Sequence, residues 1–279
     1  MKKFLTKKLS LRLVVGVSAL AVLIAAGSVA FATHSWGPYH WARTANPFTL
    51  KTVDSVTSAW DSYLDTAIAD WSQSSVLDLT KETGSTGSTD RRRCRPVSGK
   101  IRACNYTYGN NGWLGQAQIW VDANNHITQG VSKMNDTYFS TAAYNTPAWR
   151  RLVMCQEIAH DFGLAHQDEN FYNPNLSSCM DYTADPDGPP SNEHPNQHDY
   201  DMLQTIYAHL DSYTTLLASV PGGPGRSGLA PGADVSDPSE WGTVLRRDGN
   251  GRPSLYGRDL GNGEKLFTFV FWADEWGNK

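Results

Sequence analysis

The sequence predicts an α+β domain in which a mixed sheet packs against a few long helices. Three observations support this prediction. Apolar residues recur every three or four positions over about residues 54–71, as on one face of a helix. Short β-type segments separated by Gly and Asn turns fill residues 101–134. Two further helical patterns follow, over residues 147–162 and 199–213.

The first 32 residues are predicted to be an export signal. Basic residues precede an apolar run from Leu13 to Ala32, and Ala30-Phe31-Ala32 offers the small-x-small pattern that a signal peptidase requires. The alternative is an uncleaved membrane anchor, because the run approaches the ~20 residues that span a bilayer. In either case the rest of the chain lies outside the cytoplasm, so we expect a secreted or cell-surface protein and membrane contact only if the signal stays uncleaved.

Composition narrows the function classes. The formal net charge of −4 argues against nucleic acid as the main partner. Four cysteines, all beyond the signal, fit an oxidising compartment and two disulfides, although four cysteines allow three connectivities. We expect Cys94 and Cys104 to close a local hairpin, which leaves Cys155 and Cys179 to join a helix to a later loop. The chain is expected to be a monomer.

The elements of the first half are predicted in order along the chain. A strand over Phe48–Val53 leads into the helix over residues 54–71, and a short strand over Val76–Thr80 follows it. A Gly/Ser/Thr-rich connection then precedes the β-type segments. These are Ile101–Thr107, Gln116–Asp122 and His126–Met134.

The second half begins with a helix over Pro147–Phe162. Thr146 is a suitable N-cap, Pro147 suits the first helical position, and Gly163 suits the position after the helix. A long loop rich in Pro, Asn and Asp separates it from the last helix, over Asp199–Tyr213.

We therefore expect a main folded domain over residues 33–218, a Pro/Gly-rich linker over 219–236 and a short β-rich tail over 237–279. Trp and Tyr residues in the tail raise the alternative of attachment to carbohydrate or cell wall, against the simpler expectation that the tail packs on the domain.

The candidate metal ligands and the candidate general base lie within residues 156–166. Gln156 and His160 lie one helical turn apart on the same face, so that both can reach one ion. Glu157 lies beside them, where a carboxylate can take a proton from a metal-activated water. Gly163 lets the backbone turn, which allows His166 to return to the same ion. Three protein ligands and an open position indicate a catalytic zinc site, in which the water would have a pKa near ~7.

This E-x-x-H-x-x-G-x-x-H pattern resembles the zinc motif of the metzincin metallopeptidases, whose usual first residue is His. Ser178-Cys179-Met180-Asp181-Tyr182 resembles their Met-turn. The resemblance implies a zincin fold: a twisted mixed sheet, an N-terminal helix, an active-site helix, the Met-turn and a C-terminal helix. It further implies that Met180 underlies the metal, that Tyr182 lies near it, and that residues 112–117 belong to a substrate-lining edge strand similar to that of matrixins.

The first ligand position raises an alternative, because Gln156 offers an amide oxygen, a weaker zinc donor than imidazole nitrogen. The gametolysin-like metallopeptidases also resemble this pattern, with Gln in that position. We therefore expect a secreted zinc-dependent endopeptidase that hydrolyses peptide or protein substrates with Glu157 as general base. The alternative is a catalytically inactive, metal-containing binding module on the cell surface.

Other polar residues receive weaker predictions. His194 or His198 could stabilise the reaction intermediate or replace Gln156 as a ligand, although an exposed loop and helix start explain both. Asp185-Pro186-Asp187-Gly188 could hold Ca²⁺ through oxygen ligands, although a plain turn also explains it. His34 and His40 are expected to pack near the mature N-terminus.

Overall fold

The computed structural model describes residues 33–216 and 237–273, so that the predicted export signal and the predicted linker lie outside the described residues. The strands are β1 (His40–Trp41), β2 (Phe48–Ser55), β3 (Leu77–Thr83), β4 (Ile101–Tyr106), β5 (Trp113–Val121), β6 (His126–Asn135), β7 (Thr243–Arg247), β8 (Pro253–Gly261) and β9 (Glu264–Trp272). The α-helices are α1 (Asp61–Trp71), α2 (Ser88–Arg93), α3 (Asp136–Phe139), α4 (Pro147–His160) and α5 (Gln197–Ile206).

Across the described ranges, nine strands form one mixed sheet in the order β3-β2-β4-β6-β5-β9-β8-β7, with β1 paired to the start of β6. The strands β3, β2, β4 and β6 run parallel to one another. The remaining neighbours in this order are antiparallel: β6 with β5, β5 with β9, β9 with β8, and β8 with β7. The predicted α+β class with a mixed sheet is confirmed at this level.

Helix α1 forms the crossover that the parallel β2 and β3 require. It begins at Asp61, later than predicted, because β2 continues to Ser55 and a turn follows it. Trp71 at its end is buried, and its indole nitrogen donates to the carbonyl oxygen of Cys155 at 3.1 Å. This bond fixes α1 against α4.

Helix α4 is the central helix. The Thr146 hydroxyl accepts the backbone N–H of Trp149 at 3.2 Å, and Pro147 occupies the first turn, as the sequence predicts. Every residue over 152–160 is buried, which is the pattern of a helix covered on all sides. Gly163 turns the chain with φ +106°, and a β-carbon there would lie 2.9 Å from the Tyr39 carbonyl oxygen. A glycine is required at this turn.

The C-terminal strands complete the sheet beyond β5. Strand β9 pairs with β5 from Trp113↔Trp272 to Val121↔Lys265, and all nine residues of β5 are buried. The expectation that residues 112–117 form an edge strand is therefore wrong, because β9 occupies the position beside them. Nothing near residue 115 signals this pairing, since the partner strand lies about 150 residues later.

Both disulfides join the expected cysteines, Cys94 with Cys104 and Cys155 with Cys179. Disulfides persist in oxidising compartments outside the cytosol. No helix within residues 33–216 and 237–273 is long and apolar enough to cross a membrane.

Helix α5 is shorter than the predicted Asp199–Tyr213. A capping box between Asn196 and Asp199 starts it, and it ends at Ile206. The chain leaves the helix there to pair with the N-terminal segment, where Asp211 N donates to Arg43 O at 2.9 Å. These backbone bonds replace the last turns that periodicity predicts.

Candidate functional site

The two histidines of the predicted motif lie together in the structure. Nε2 of His160 is 2.9 Å from Nε2 of His166. The Nδ1 atom of His160 contacts the Leu164 carbonyl oxygen at 2.7 Å, and Nδ1 of His166 contacts a Glu169 carboxylate oxygen at 2.7 Å. Both partners are acceptors, so each Nδ1 carries its hydrogen and each Nε2 presents a lone pair to the other.

Such an arrangement is repulsive unless a cation lies between or beside the two nitrogens. Burial lowers the pKa of His160 well below its usual value, and the neighbouring His166 lowers it further. Burial also lowers the pKa of His166. A metal ion held by both Nε2 atoms fits this arrangement. The contacts at Nδ1 are those that orient metal-binding imidazoles in proteins.

Gln156 faces the same buried region one turn earlier on α4. Its amide nitrogen donates to the Cys179 carbonyl oxygen at 2.8 Å, which fixes the orientation of the amide. Its Oε1 is buried and has no hydrogen-bond partner among the described residues. Buried acceptors are nearly always paired. An oriented, unpaired oxygen of this kind fits a third metal ligand.

Glu157 is fully buried, and neither of its carboxylate oxygens has a hydrogen-bond partner among the described residues. Burial raises the pKa of this carboxyl group well above its usual value, and the nearby Asp161 raises it further. Strand β5 approaches closely here, since a β-carbon on Gly115 would lie 2.3 Å from Glu157 Oε1. The glycine leaves the space that the carboxylate occupies.

The loop around Met180 lies against this helix. The Cys155–Cys179 disulfide joins the two, and the backbone N–H of Gln167 donates to the Met180 carbonyl oxygen at 2.6 Å. The Tyr182 ring lies 4.4 Å from the His166 ring, centre to centre. The fold thus places Met180 and Tyr182 near the residues of the predicted motif.

The C-terminal strand β9 covers the two histidines. The Phe269 ring stacks on the His160 ring at 4.0 Å with an interplanar angle of 9°. Phe271 packs on Tyr182 at 4.6 Å, and the Tyr182 hydroxyl donates to the Val270 carbonyl oxygen at 3.3 Å. Gln156, Glu157 and His160 consequently have no exposed surface. A peptide cannot reach these residues while β9 stays in place.

Sequence reasoning missed two contributors to this site. Glu169 positions His166, and it is held by Ser254, whose hydroxyl donates to its Oε2 at 2.9 Å. Arg246 lies 3.5 Å from its other oxygen. An acid three residues after the last histidine could have indicated Glu169. No local signal indicates Phe269, because the contact depends on the pairing of β9 with β5.

The weaker candidates lie elsewhere. The exposed His194 pairs with Asp70 at 2.6 Å, and the His198 ring lies 4.7 Å from the His34 ring. Residues 185–188 form a turn in which Gly188 N donates to Asp185 O at 3.1 Å.

Replacing Gly115 by Ala is expected to lower the free energy of unfolding by about 1–3 kcal/mol, the usual cost of overpacking. The added methyl group would lie 2.3 Å from Glu157 Oε1 and 2.5 Å from Val153 Cγ1. Gly87→Ala is the control, because its β-carbon would lie at least 3.4 Å from its neighbours. Urea unfolding measures both. Equal effects of the two substitutions would contradict the close approach of β5 to Glu157.

The buried carboxyl group of Asp181 is expected to make the free energy of unfolding depend on pH. Burial raises its pKa to about 6, although Leu176 N and the Asn192 amide donate to one of its oxygens. Between pH ~4, its usual pKa when unfolded, and pH ~6, the folded state therefore holds more protons, and stability falls as the pH rises. In the wild type, the free energy of unfolding is expected to fall by up to roughly 3 kcal/mol between pH ~4 and pH ~6. Asp181→Asn should remove this fall. Urea unfolding at pH 4 and 7 tests it; identical pH dependence in both proteins would exclude Asp181 as the cause.

No family model and no curated protein sequence matches this chain. The resemblance to metzincins therefore depends on the motif over residues 156–166 and the segment around Met180.

Proposed function

We propose that this protein is a secreted zinc-dependent endopeptidase of the metzincin type, which its own C-terminal strands keep closed. One observation carries the proposal: two imidazole Nε2 atoms present lone pairs to each other at 2.9 Å, beside an unpaired carboxyl group. In this interpretation α1, α4 and α5 are the N-terminal, active-site and C-terminal helices of a zincin fold, and the segment around Met180 is its Met-turn.

His160, His166 and Gln156 would hold the zinc ion. A zinc ion in such a site supplies a Lewis acid for the scissile carbonyl and for the attacking water. The protein supplies orientation: Leu164 O and Glu169 fix the two imidazoles, and Cys179 O fixes the amide. A carboxylate–histidine contact also raises the basicity of the ligand.

Glu157 would act as the general base. It lies next to a ligand on α4, and both of its oxygens lack a partner. In the reaction it accepts a proton from the attacking water and delivers it to the leaving amine. Apolar surroundings suit this exchange, because they hold the pKa of the carboxyl group above its usual value.

Substrate access requires displacement of β9. Peptides commonly bind by adding a strand to a free sheet edge, and in this protein β9 fills that position beside β5 in antiparallel pairing. The aromatic ring of Phe269 covers His160 on the same strand. The closed arrangement is that of a latent form, and cleavage within residues 219–236 would turn β7–β9 into a separate, displaceable chain.

The test compares the intact chain with a chain cut at a protease recognition sequence inserted into residues 219–236. After exposure to mild denaturant and zinc, the cut chain is expected to hydrolyse a diverse peptide library, and the intact chain to do so far more slowly. Glu157→Gln in the cut chain should reduce the rate by about 10²–10⁴-fold while zinc content stays unchanged. Stoichiometric zinc without hydrolysis in any form would contradict the proposal.

The complete burial of the site favours a second candidate, a metal-containing binding module without catalysis. Its zinc would be structural. Gln156 would then stand in the first ligand position because the site no longer needs to catalyse a reaction. Gln156→His separates the candidates. The module predicts that the imidazole creates or sharply raises activity, whereas a fall in an existing activity would exclude the module.

A separate experiment tests whether the Phe269 ring controls access to the zinc site. Phe269→Ala removes the ring over His160, whereas Phe267→Ala removes a ring of the same strand that packs on Trp36 and Tyr39. Both should cost about 3–5 kcal/mol of stability, the usual cost of losing a buried Phe. Only Phe269→Ala should speed the removal of zinc by a chelator, on the order of tenfold. Equal acceleration by both would show that global loosening, and not the covering ring, controls access.

A further inference from the structure

A second group of metal-binding side chains lies where the N-terminal segment meets the chain after α5. The pairing of β1 with β6 places His40 directly beside His126. His209 and Asp211 follow α5 and are held against residues 40–43, where Asp211 N donates to Arg43 O at 2.9 Å and Thr215 N donates to Ala42 O at 3.0 Å. The four side chains, His40, His126, His209 and Asp211, are called the His/Asp cluster below.

The donor atoms of the His/Asp cluster surround one carboxylate oxygen. Oδ1 of Asp211 lies 3.5 Å from His40 Nε2, 3.4 Å from His126 Nε2 and 3.7 Å from His209 Nε2. Nε2 of His40 lies 3.1 Å from Nε2 of His209. Ligands about 2.0–2.1 Å from a tetrahedral zinc ion are about 3.3–3.4 Å apart. The observed separations fall around that value.

The outer contacts of the cluster orient the ring nitrogens inward. Nδ1 of His40 contacts the Pro38 carbonyl oxygen at 2.8 Å, so Nε2 is the ring nitrogen that faces the cluster. Nδ1 of His126 contacts the Tyr213 hydroxyl. Arg43 donates to Oδ2 of Asp211 from its backbone N at 3.1 Å and its guanidinium at 2.9 Å. Partners of this kind, carbonyl, hydroxyl and guanidinium, hold metal ligands in place.

We propose that the His/Asp cluster binds one divalent transition-metal ion of the zinc class, separate from the ion at His160 and His166. Imidazole nitrogens favour zinc and its neighbours, whereas Ca²⁺ and Mg²⁺ take oxygen ligands. His40, His209 and Asp211 form the site, with donor atoms all within 4.8 Å of one another, and His126 lies beside it with its Nε2 3.4 Å from Oδ1 of Asp211. Two imidazoles and one carboxylate are a ligand set that zinc accepts.

Such an ion would join two parts of the chain that are far apart in sequence, β1 and the segment after α5. The connection uses only residues of the described range 33–216, so it does not depend on β7–β9 or on peptidase activity. The ion would stabilise the folded state, because a metal that binds only the folded chain adds its binding free energy to the stability.

The test measures zinc per chain by elemental analysis after dialysis of the full chain, together with thermal unfolding. His209→Ala removes a ligand whose side chain is 57% exposed, so the fold should survive the change. His194→Ala is the matched control, a 51% exposed histidine that pairs with Asp70 outside the cluster. We expect His209→Ala to lose one zinc per chain and the stabilisation by added zinc, and His194→Ala to lose neither.

Combination with His166→Ala separates this proposal from the proposed peptidase site. If both sites bind, the wild type holds two zinc ions, each single variant one, and the double variant none. If only the His/Asp cluster binds, the wild type holds one ion and His209→Ala none. Unchanged zinc content and unchanged zinc-dependent stability in His209→Ala would overturn the proposal.

Discussion

The burial of two neutral imidazoles with facing lone pairs is the constraint on which the rest of this structure depends. His160 and His166 meet at 2.9 Å only because Gly163 turns the backbone at the end of α4 and because each Nδ1 is committed to an oxygen acceptor. The two Nε2 atoms are thereby left facing each other, while Glu169 and Leu164 O fix the orientation of the rings.

Four buried polar atoms on α4 or directly after it lack a hydrogen-bond partner in the described part of the chain: Oε1 of Gln156, both oxygens of Glu157 and Oδ1 of Asp161. Each such group costs about 1–3 kcal/mol. The disulfide at Cys155 and the bond from Trp71 hold the helix in position despite them.

The C-terminal strands serve the sheet and the site at once. By pairing with β5 they move the edge of the sheet from β5 to the exposed strand β7. The same strand carries Phe269 over His160 and supports Glu169 through its neighbour Ser254 on β8. The strand that extends the sheet beyond β5 is thus also the strand that covers His160.

Local patterns were enough to predict what depends on local chemistry. The α+β class, the course of α4 with its Thr146 cap and its Gly163 turn, and both disulfides were predictable, because periodicity, capping and spacing act over a few residues. The sequence also indicated the pairing of His160 with His166, six residues apart. Only the tertiary structure decided that β9 covers the site and that His40, His126, His209 and Asp211 meet. Contacts across 80 to 170 residues depend on strand order and on the docking of distant segments, and neither leaves a signal in the neighbouring sequence.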